Sequence, residues 1–452
     1  MKHVPVLERA IVAPHVSVGP GAEPPSGVRQ AASRWARRGF WAVADQGLFA
    51  VSNFVIGVLL ARWLSPTEYG SFSIAYSIFL FVGTLHTSLL TEPMLVFGSA
   101  KYAAAFPSYL RQLLRGHWLV AGPGGVALAL VGLGMQLFAS SPVAPSLICT
   151  GLTTPFLLWP WLARRACFAR LQPQWAAAAG SVYLGLMSLG AYLLFRTQSL
   201  SAVTAILLLA VCSAIVGVGL VAVLLRGQPE PRSPVDVREV LADHWSYGRW
   251  ALLGSAVGWF PSNVYFLLLP AEGGLAASAA LKALMNLILP VLHGIAALAT
   301  LLLPSLVRVR GKPAFTSTLV TALVLLMSGA ALYWILVATF AQPLLLLLYK
   351  GRYAYPAGLL WMLGALPVAA AFAAVLGAAV RAIERPSDVF LASLGAAATA
   401  ATLGPWLVVQ RGVVGAVIGL IASSMATGLL LLMLLVRRTR TLRDTGTLGA
   451  LT

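Results

Sequence analysis

Apolar residues come in runs of about twenty, separated by short polar stretches, from residue 41 to residue 436. A hydrocarbon core about 30 Å thick is crossed by about 20 residues of helix. Lipid offers the backbone no hydrogen-bond partner, so a crossing segment must be helical or part of a closed barrel. Unbroken runs such as Thr316–Phe340, rather than short alternating segments, choose helices. Twelve are expected, near 41–62, 71–97, 117–139, 143–163, 174–195, 201–225, 247–269, 279–306, 316–341, 356–380, 387–409 and 413–436. The stretch 342–356, which holds "PLLLLLYKGRY", either extends the ninth helix or forms an interfacial turn.

The longest polar interruption, Arg226–Tyr247, divides six helices from six. Its Pro-rich start reads as a linker, and "VDVREVLADHW" reads as an amphipathic helix lying on the membrane surface. The plan is therefore a first six-helix unit (41–225), a linker (226–246), a second six-helix unit (247–436) and a basic tail (437–452). A 6+6 division with a mid-chain linker is the usual mark of two structural repeats. "VSNFVIGVLLA" (51–61) resembles "PSNVYFLLLPA" (261–271), matching Asn53 to Asn263. Residues 1–40 are rich in Pro, Gly and Ala, with no run long enough for a signal peptide, and "GPGAEPPSG" is expected to be disordered. Arg29, Arg34, Arg37 and Arg38 stand just before the first span, where they can meet anionic headgroups.

Composition agrees with the pattern: 59% of the residues are hydrophobic and 10% charged, against about 25% charged in a soluble domain. A net charge of +18, from 31 Lys+Arg and 13 Asp+Glu, would suggest nucleic acid in a soluble protein. Here the positions of the charges speak for a membrane and against nucleic acid. With the N-terminus in the cytoplasm, alternating loops put 25 Lys+Arg on the cytoplasmic side and 5 outside, with Lys282 inside a span. That bias fits the positive-inside rule with both termini cytoplasmic. Cys149, Cys167 and Cys212 show no metal or disulfide spacing and read as small core residues.

Polar groups inside apolar runs are costly and usually face a bundle interior or an aqueous cavity. Asp45, Gln46, Ser52 and Asn53 share a face of the first helix. Thr84, Thr87, Ser88, Thr91 and Glu92 line the second; Ser255, Ser262 and Asn263 the seventh; Lys282, Asn286 and His293 the eighth. A cavity between the two halves, lined by their opening helices, explains this distribution. It would carry Asp45 and Glu92 toward one mouth and Lys282 deeper in. Plainer readings stand beside each. Hydroxyls bond their own helix; Asn53 and Asn263 join helices; Asp45 is a helix-start charge; Glu92, before Pro93, marks a break; Lys282 snorkels outward. His86, opposite its helix's polar stripe, reads as packing. "WPW" (159–161) with Arg164 and Arg165 reads as an aromatic belt with positive anchors. No paired histidines, Walker motif or catalytic constellation is present, so no enzyme activity and no cofactor or metal are expected.

"LLARWLSPTEYGSF" (59–72), "YGRW" (247–250) and "LLLLLYKGRY" (344–353) resemble segments of Wzx-type polysaccharide/O-antigen flippases of the multidrug/oligosaccharidyl-lipid/polysaccharide (MOP) exporter superfamily, over roughly residues 41–436. The resemblance implies an all-α polytopic protein of about twelve transmembrane helices in two six-helix lobes around a central cavity. It implies flipping of an undecaprenyl-diphosphate-linked glycan across the bacterial cytoplasmic membrane during polysaccharide biosynthesis, with glycan-assembly proteins as partners. On that basis Lys282 contacts phosphate, with Asn286, Asn53, Asn263 and His293 in the cavity and Arg62 and Arg249 adding positive charge. Asp45 and Glu92 bind or relay a coupling cation, proton or sodium. Rival readings are a drug or small-cation exporter of the same superfamily, a membrane-embedded glycan polymerase or ligase, whose large external loop is missing here, and an assembly scaffold.

Overall fold

A computed structural model describes residues 26–226, 235–353 and 355–444. The described residues are nearly all helical, with no strand among them. The helices are α1 (Ser26–Trp63), α2 (Pro66–His86), α3 (Glu92–Phe97), α4 (Phe106–Ala139), α5 (Ala144–Ala169), α6 (Pro173–Arg196) and α7 (Ala202–Leu225) in the first half. The second half holds α8 (Val237–Leu268), α9 (Pro270–Arg308), α10 (Ala314–Thr339), α11 (Ala341–Tyr349), α12 (Ala357–Leu363), α13 (Ala365–Ala382) and α14 (Pro386–Asp444).

Eleven helical stretches are long and apolar enough to cross a membrane. The last, Ser387–Arg438, has 52 residues, too many for one crossing at 1.5 Å per residue. It breaks at Gly412, whose φ of 54° and ψ of −127° leave the helical region for a conformation that L side chains rarely adopt. Gly404 and Gly419, on either side of the break, both lie against the Tyr265 ring, and Gly395 faces Leu430. The two arms of α14 therefore run antiparallel, which gives the expected twelve passes of a multi-pass membrane protein. Lipid-facing surfaces stay apolar, as on α4, which exposes Leu119, Val126, Leu130, Leu137 and Phe138. Inward surfaces pack closely where residues are small: a Cβ on Gly151 would lie 2.5 Å from the Gly125 carbonyl oxygen.

Three boundaries differ from the sequence reading. The first helix begins at Ser26 rather than near 41, because the basic stretch before Phe40 continues the helix beyond the apolar part; residues 1–25 lie outside the described residues. The segment read as a separate surface helix is the beginning of α8, capped by Asp236, whose side chain accepts from the Arg238 amide. It is held upright by contacts with the first half: Lys101 Nζ lies 2.6 Å from Asp243 and 2.8 Å from Glu239, and Tyr102 donates to Asp243 at 2.7 Å. Most of the linker, 227–234, lies outside the described residues. At 342–356 the chain forms the short helix α11 and then a turn through Lys350 and Gly351, with φ of 53° and 74°.

The motifs that carried the resemblance are contacts between the halves. Ser65 caps α2 by accepting from the Glu68 amide at 3.2 Å, and Pro66 fills the first turn, where its missing N–H costs nothing. Tyr69 donates to the Gly57 carbonyl at 3.2 Å and accepts from Asn286 Nδ2 at 3.0 Å. Arg62 donates to the Leu347 carbonyl at 3.1 Å, Arg352 to the Leu64 carbonyl, and Tyr353 to the Ala61 carbonyl at 3.4 Å. These bonds clasp the halves at the Arg62 end of the bundle.

The two seams between the halves behave differently. Along the α2–α8 seam, Trp259 Nε1 donates to the Ser77 carbonyl at 3.0 Å, Ser88 to Ser255 at 2.9 Å, and His244 Nδ1 to the Leu89 carbonyl at 2.9 Å. The α1–α9 seam is closed by Gly57 against Asn286 and by the Phe49 and His293 rings, 6.3 Å apart edge to face. Beyond them the helices part: Gly39, Gly47 and Gly294 have open space where a side chain would be.

Candidate functional site

The chemistry of the first half gathers where α1 meets α5. Asp45 is completely buried, and its carboxylate accepts a fork of bonds from Arg164, Nε to Oδ1 at 3.2 Å and Nη2 to Oδ2 at 2.7 Å. A carboxylate matches the planar guanidinium in this two-bond geometry. The guanidinium also stacks over Phe49, 4.6 Å from the ring centre. Arg164, read from sequence as an interfacial anchor, is therefore interior, with 17% of its side chain exposed. One signal was available. Adjacent residues on a helix point about 100° apart, so Arg164 and Arg165 could not both face the same headgroup layer.

Two bays share the Phe49, Trp161 and Arg164 walls. The aromatic bay, about 650 Å³, is lined by Ser52, Asn53, Tyr76, Tyr183 and Ser213 from α1, α2, α6 and α7. The basic bay, about 670 Å³, adds Gln46, Thr87, Thr91, Arg165 and Phe168. Thr87 and Thr91 bound a π-helical turn between α2 and α3. Its cause is Pro93, which has no N–H to return to the Leu89 carbonyl four residues back. That carbonyl accepts from His244 instead. Single π-turns inside α-helices recur at functional sites.

A third bay, about 980 Å³, lies within the second half, lined by Ser262, Leu289, Ser393, Ser423, Ser424 and Thr427 among others from α8, α9, α13 and α14. No charged side chain lines it.

The other expected site residues are spread out. Lys282 Nζ lies 5.3 Å from the Tyr76 ring centre and 5.7 Å from that of Phe266, so it reaches from α9 to the wall of the aromatic bay. Asn263 Nδ2 donates to the Trp259 carbonyl of its own helix at 3.0 Å. Asn286 is packed against Gly57 and Tyr69, with no partner for its buried Oδ1 among the described residues. His293 bonds the Leu289 carbonyl at 2.8 Å, and Arg62 belongs to the clasp. Arg249 is exposed on α8. Glu92 is half-buried near the basic bay, within electrostatic reach of Arg165. His86 packs as its position suggested, but against a polar partner. Its Nε2 lies 2.9 Å from His117 Nδ1, and His117 Nε2 lies 2.9 Å from the Pro155 carbonyl, which can only accept. His117 therefore carries its proton on Nε2, and His86 is the donor between the two rings.

Neither a family model nor a curated protein matches the chain. Solved structures match nearly all of it. An inward-facing multidrug-resistance MATE family transporter of the MOP superfamily is 14% identical, with a TM-score of 0.72 over 89% of this chain and 99% of that one. The lipid II flippase MurJ, in an inward closed conformation, is 13% identical with a TM-score of 0.67 over 87% of each chain. A MOP superfamily transporter from Pyrococcus furiosus, described as having a binding pocket of reverse polarity, is 13% identical with a TM-score of 0.55 over 93% of this chain and 100% of that one. The chain thus has the fold of MOP superfamily transporters, and these neighbours are transporters and a flippase rather than enzymes.

Proposed function

We propose that the protein is an alternating-access flippase of the bacterial cytoplasmic membrane that moves an undecaprenyl-diphosphate-linked oligosaccharide from the cytoplasmic to the outer face. The observation that carries this reading is the asymmetry of the α1–α9 seam, clasped at the Arg62 end and parted at the Asp45 end. A slot open on one side lets a glycan headgroup enter between the halves while its prenyl tail stays in lipid, which avoids exposing charged groups to hydrocarbon. With the cytoplasmic side at the Asp45 end, the parted seam faces the compartment in which such intermediates are made. Lys282, Arg164 and Arg165 supply cationic contacts for the diphosphate. Asp45, released from Arg164, is the group that exchanges a coupling proton or sodium, with Glu92 beside the basic bay.

Deletion of the gene should cause lipid-linked oligosaccharide to accumulate on the cytoplasmic face, with loss of surface polysaccharide; unchanged surface glycan would end the reading. Lys282→Ala should lower export without affecting membrane insertion. A reporter fused after Arg437 should report cytoplasm. A second reading, a multidrug exporter of the same superfamily, is favoured by the aromatic bay, whose Phe49, Tyr76, Phe79, Trp161 and Tyr183 suit a flat organic cation. Vesicle transport of an amphiphilic dye, with no effect on glycan, would select it.

A further inference from the structure

The basic bay has a surplus of donors. Arg165 makes no ion pair or hydrogen bond among the described residues, although it lines the bay. Arg164 commits Nε and Nη2 to Asp45 and leaves Nη1 without a partner. Gln46, Thr87 and Thr91 add an amide and two hydroxyls. On the acceptor side, Asp45 is fully occupied by Arg164, and Glu92 lies near Arg165 without forming an ion pair in the described structure. At about 670 Å³ the space is in the range of ligand pockets. Adjacent guanidinium groups are suited to a planar, multi-oxygen anion.

We propose that Arg164 and Arg165, with Gln46, Thr87 and Thr91, bind a phosphate or diphosphate group, and that Asp45 is a tethered counter-ion which that group must displace from Arg164. The competition follows from the geometry. Asp45 and an incoming phosphate both use the open fork of one guanidinium, so each weakens the hold of the other. Coupling between two ligands of one site is reciprocal. A cation or proton that neutralises Asp45 strengthens anion binding, and a bound anion frees Asp45 to take up that cation. The same device gives release: restoring the charge of Asp45 returns Arg164 to it and ejects the phosphate. The naming of a lipid-borne diphosphate as the natural ligand rests on the flippase reading; the anion site does not.

The test uses the full chain in phosphatidylcholine nanodiscs, titrated calorimetrically with inorganic pyrophosphate and with farnesyl diphosphate. Both should bind, farnesyl diphosphate more tightly if the natural ligand is lipid-borne. Arg165→Gln should weaken both by roughly tenfold, and Asp45→Asn should tighten both by roughly tenfold, within the usual range of site-to-site coupling. Unchanged or weaker binding in Asp45→Asn overturns the counter-ion role, and unchanged binding in Arg165→Gln overturns the site. Arg165 lies outside the ion pair, so its variant remains informative if Asp45→Asn is not recovered folded. If phosphatidylglycerol in the disc abolishes pyrophosphate binding, Arg165 serves bulk lipid headgroups and the proposal fails. Pyrophosphate binding that depends on Arg165, in a protein whose deletion causes no glycan intermediate to accumulate, would sink the flippase reading while leaving the anion site. Accumulation without pyrophosphate binding would do the reverse.

Discussion

The aromatic bay of the first half and the hydroxyl-lined bay of the second are built from matching passes. The first uses α1, α2, α5, α6 and α7, and the second uses α8, α9, α13 and both arms of α14. Each omits the third pass of its half. The short repeat read from sequence falls into place here, because Ser52 lines one bay and Ser262 the other. Continued down the helix, the same register sets Phe49 opposite Trp259 and Asp45 opposite Ser255. Where the first half buries a carboxylate with Arg164, the second has a hydroxyl that accepts from Ser88 across the α2–α8 seam. One backbone plan thus carries charge in one copy and only hydroxyls in the other. A repeated fold fixes where a cavity forms, and individual side chains decide what it holds.

The largest effect that would break this comparison is expected at Arg164. Arg164→Gln leaves Asp45 charged, buried and unpaired, at a cost of about 3–5 kcal/mol. Thermal unfolding in detergent should show a large loss, and Asp45→Asn in the same chain should restore most of it. A stable single variant would mean that the pair is not structural. Next comes the clasp. A Cβ on Gly57 would lie 2.7 Å from Asn286 Oδ1, and forcing a methyl into such a contact costs about 1–3 kcal/mol. Gly57→Ala should therefore part the Arg62 end. Spin-label distances between the ends of α1 and α11 should lengthen, and an unchanged distance distribution would rule this out.

The contacts of α8 with the first half, at the base of the α2–α8 seam, should respond to acid. Burial holds the His244 imidazole below its ordinary range, while its bond to the Leu89 carbonyl and nearby Asp243 pull the other way. Its Nε2 faces Tyr109 at 2.6 Å and, in the neutral ring, accepts from the hydroxyl. A histidine lowered on folding favours the folded state above its unfolded pKa, and that stability is lost as the pH falls below the ordinary histidine range. Desolvation raises Asp243, but bonds from Lys101 and Tyr102 outweigh it and leave the carboxyl below its usual value. Its contribution persists above the ordinary aspartate range and is lost as the pH falls through the lowered value. Half-exposed pairs of this kind are worth about 0.2–1 kcal/mol. Unfolding temperature should thus decline in two acid steps, the first absent in His244→Gln and the second in Asp243→Asn. The smallest effect belongs to the second half: Ser262→Ala should shift stability by less than about 0.5 kcal/mol. If it impaired transport as much as Asn53→Ala, the contrast between the bays would lose its functional meaning.

Much of the fold is legible because transfer from water to hydrocarbon is a local property. The run lengths gave twelve crossings, although α14 is almost continuous, and the caps at Ser65 and the break at Pro93 act within a turn or two of their own residues. Polar stripes on the opening helices also marked Asp45, Ser52 and Asn53 as inward. Their convergence on one space between the halves was an inference from helical faces alone, and Asn263 and Asn286 instead satisfy local or interhelical bonds.

What the chain determined by itself was the class of protein, the number of its crossings and the helix faces that avoid lipid. Only the tertiary structure decided that Asp45 is matched by Arg164, 119 positions away, that α8 stands upright against Lys101 and Tyr102, and that the halves are clasped at one end and parted at the other. The reason is physical: hydrophobic length is read one segment at a time, whereas an ion pair between two helices exists only once packing has chosen which of their faces meet.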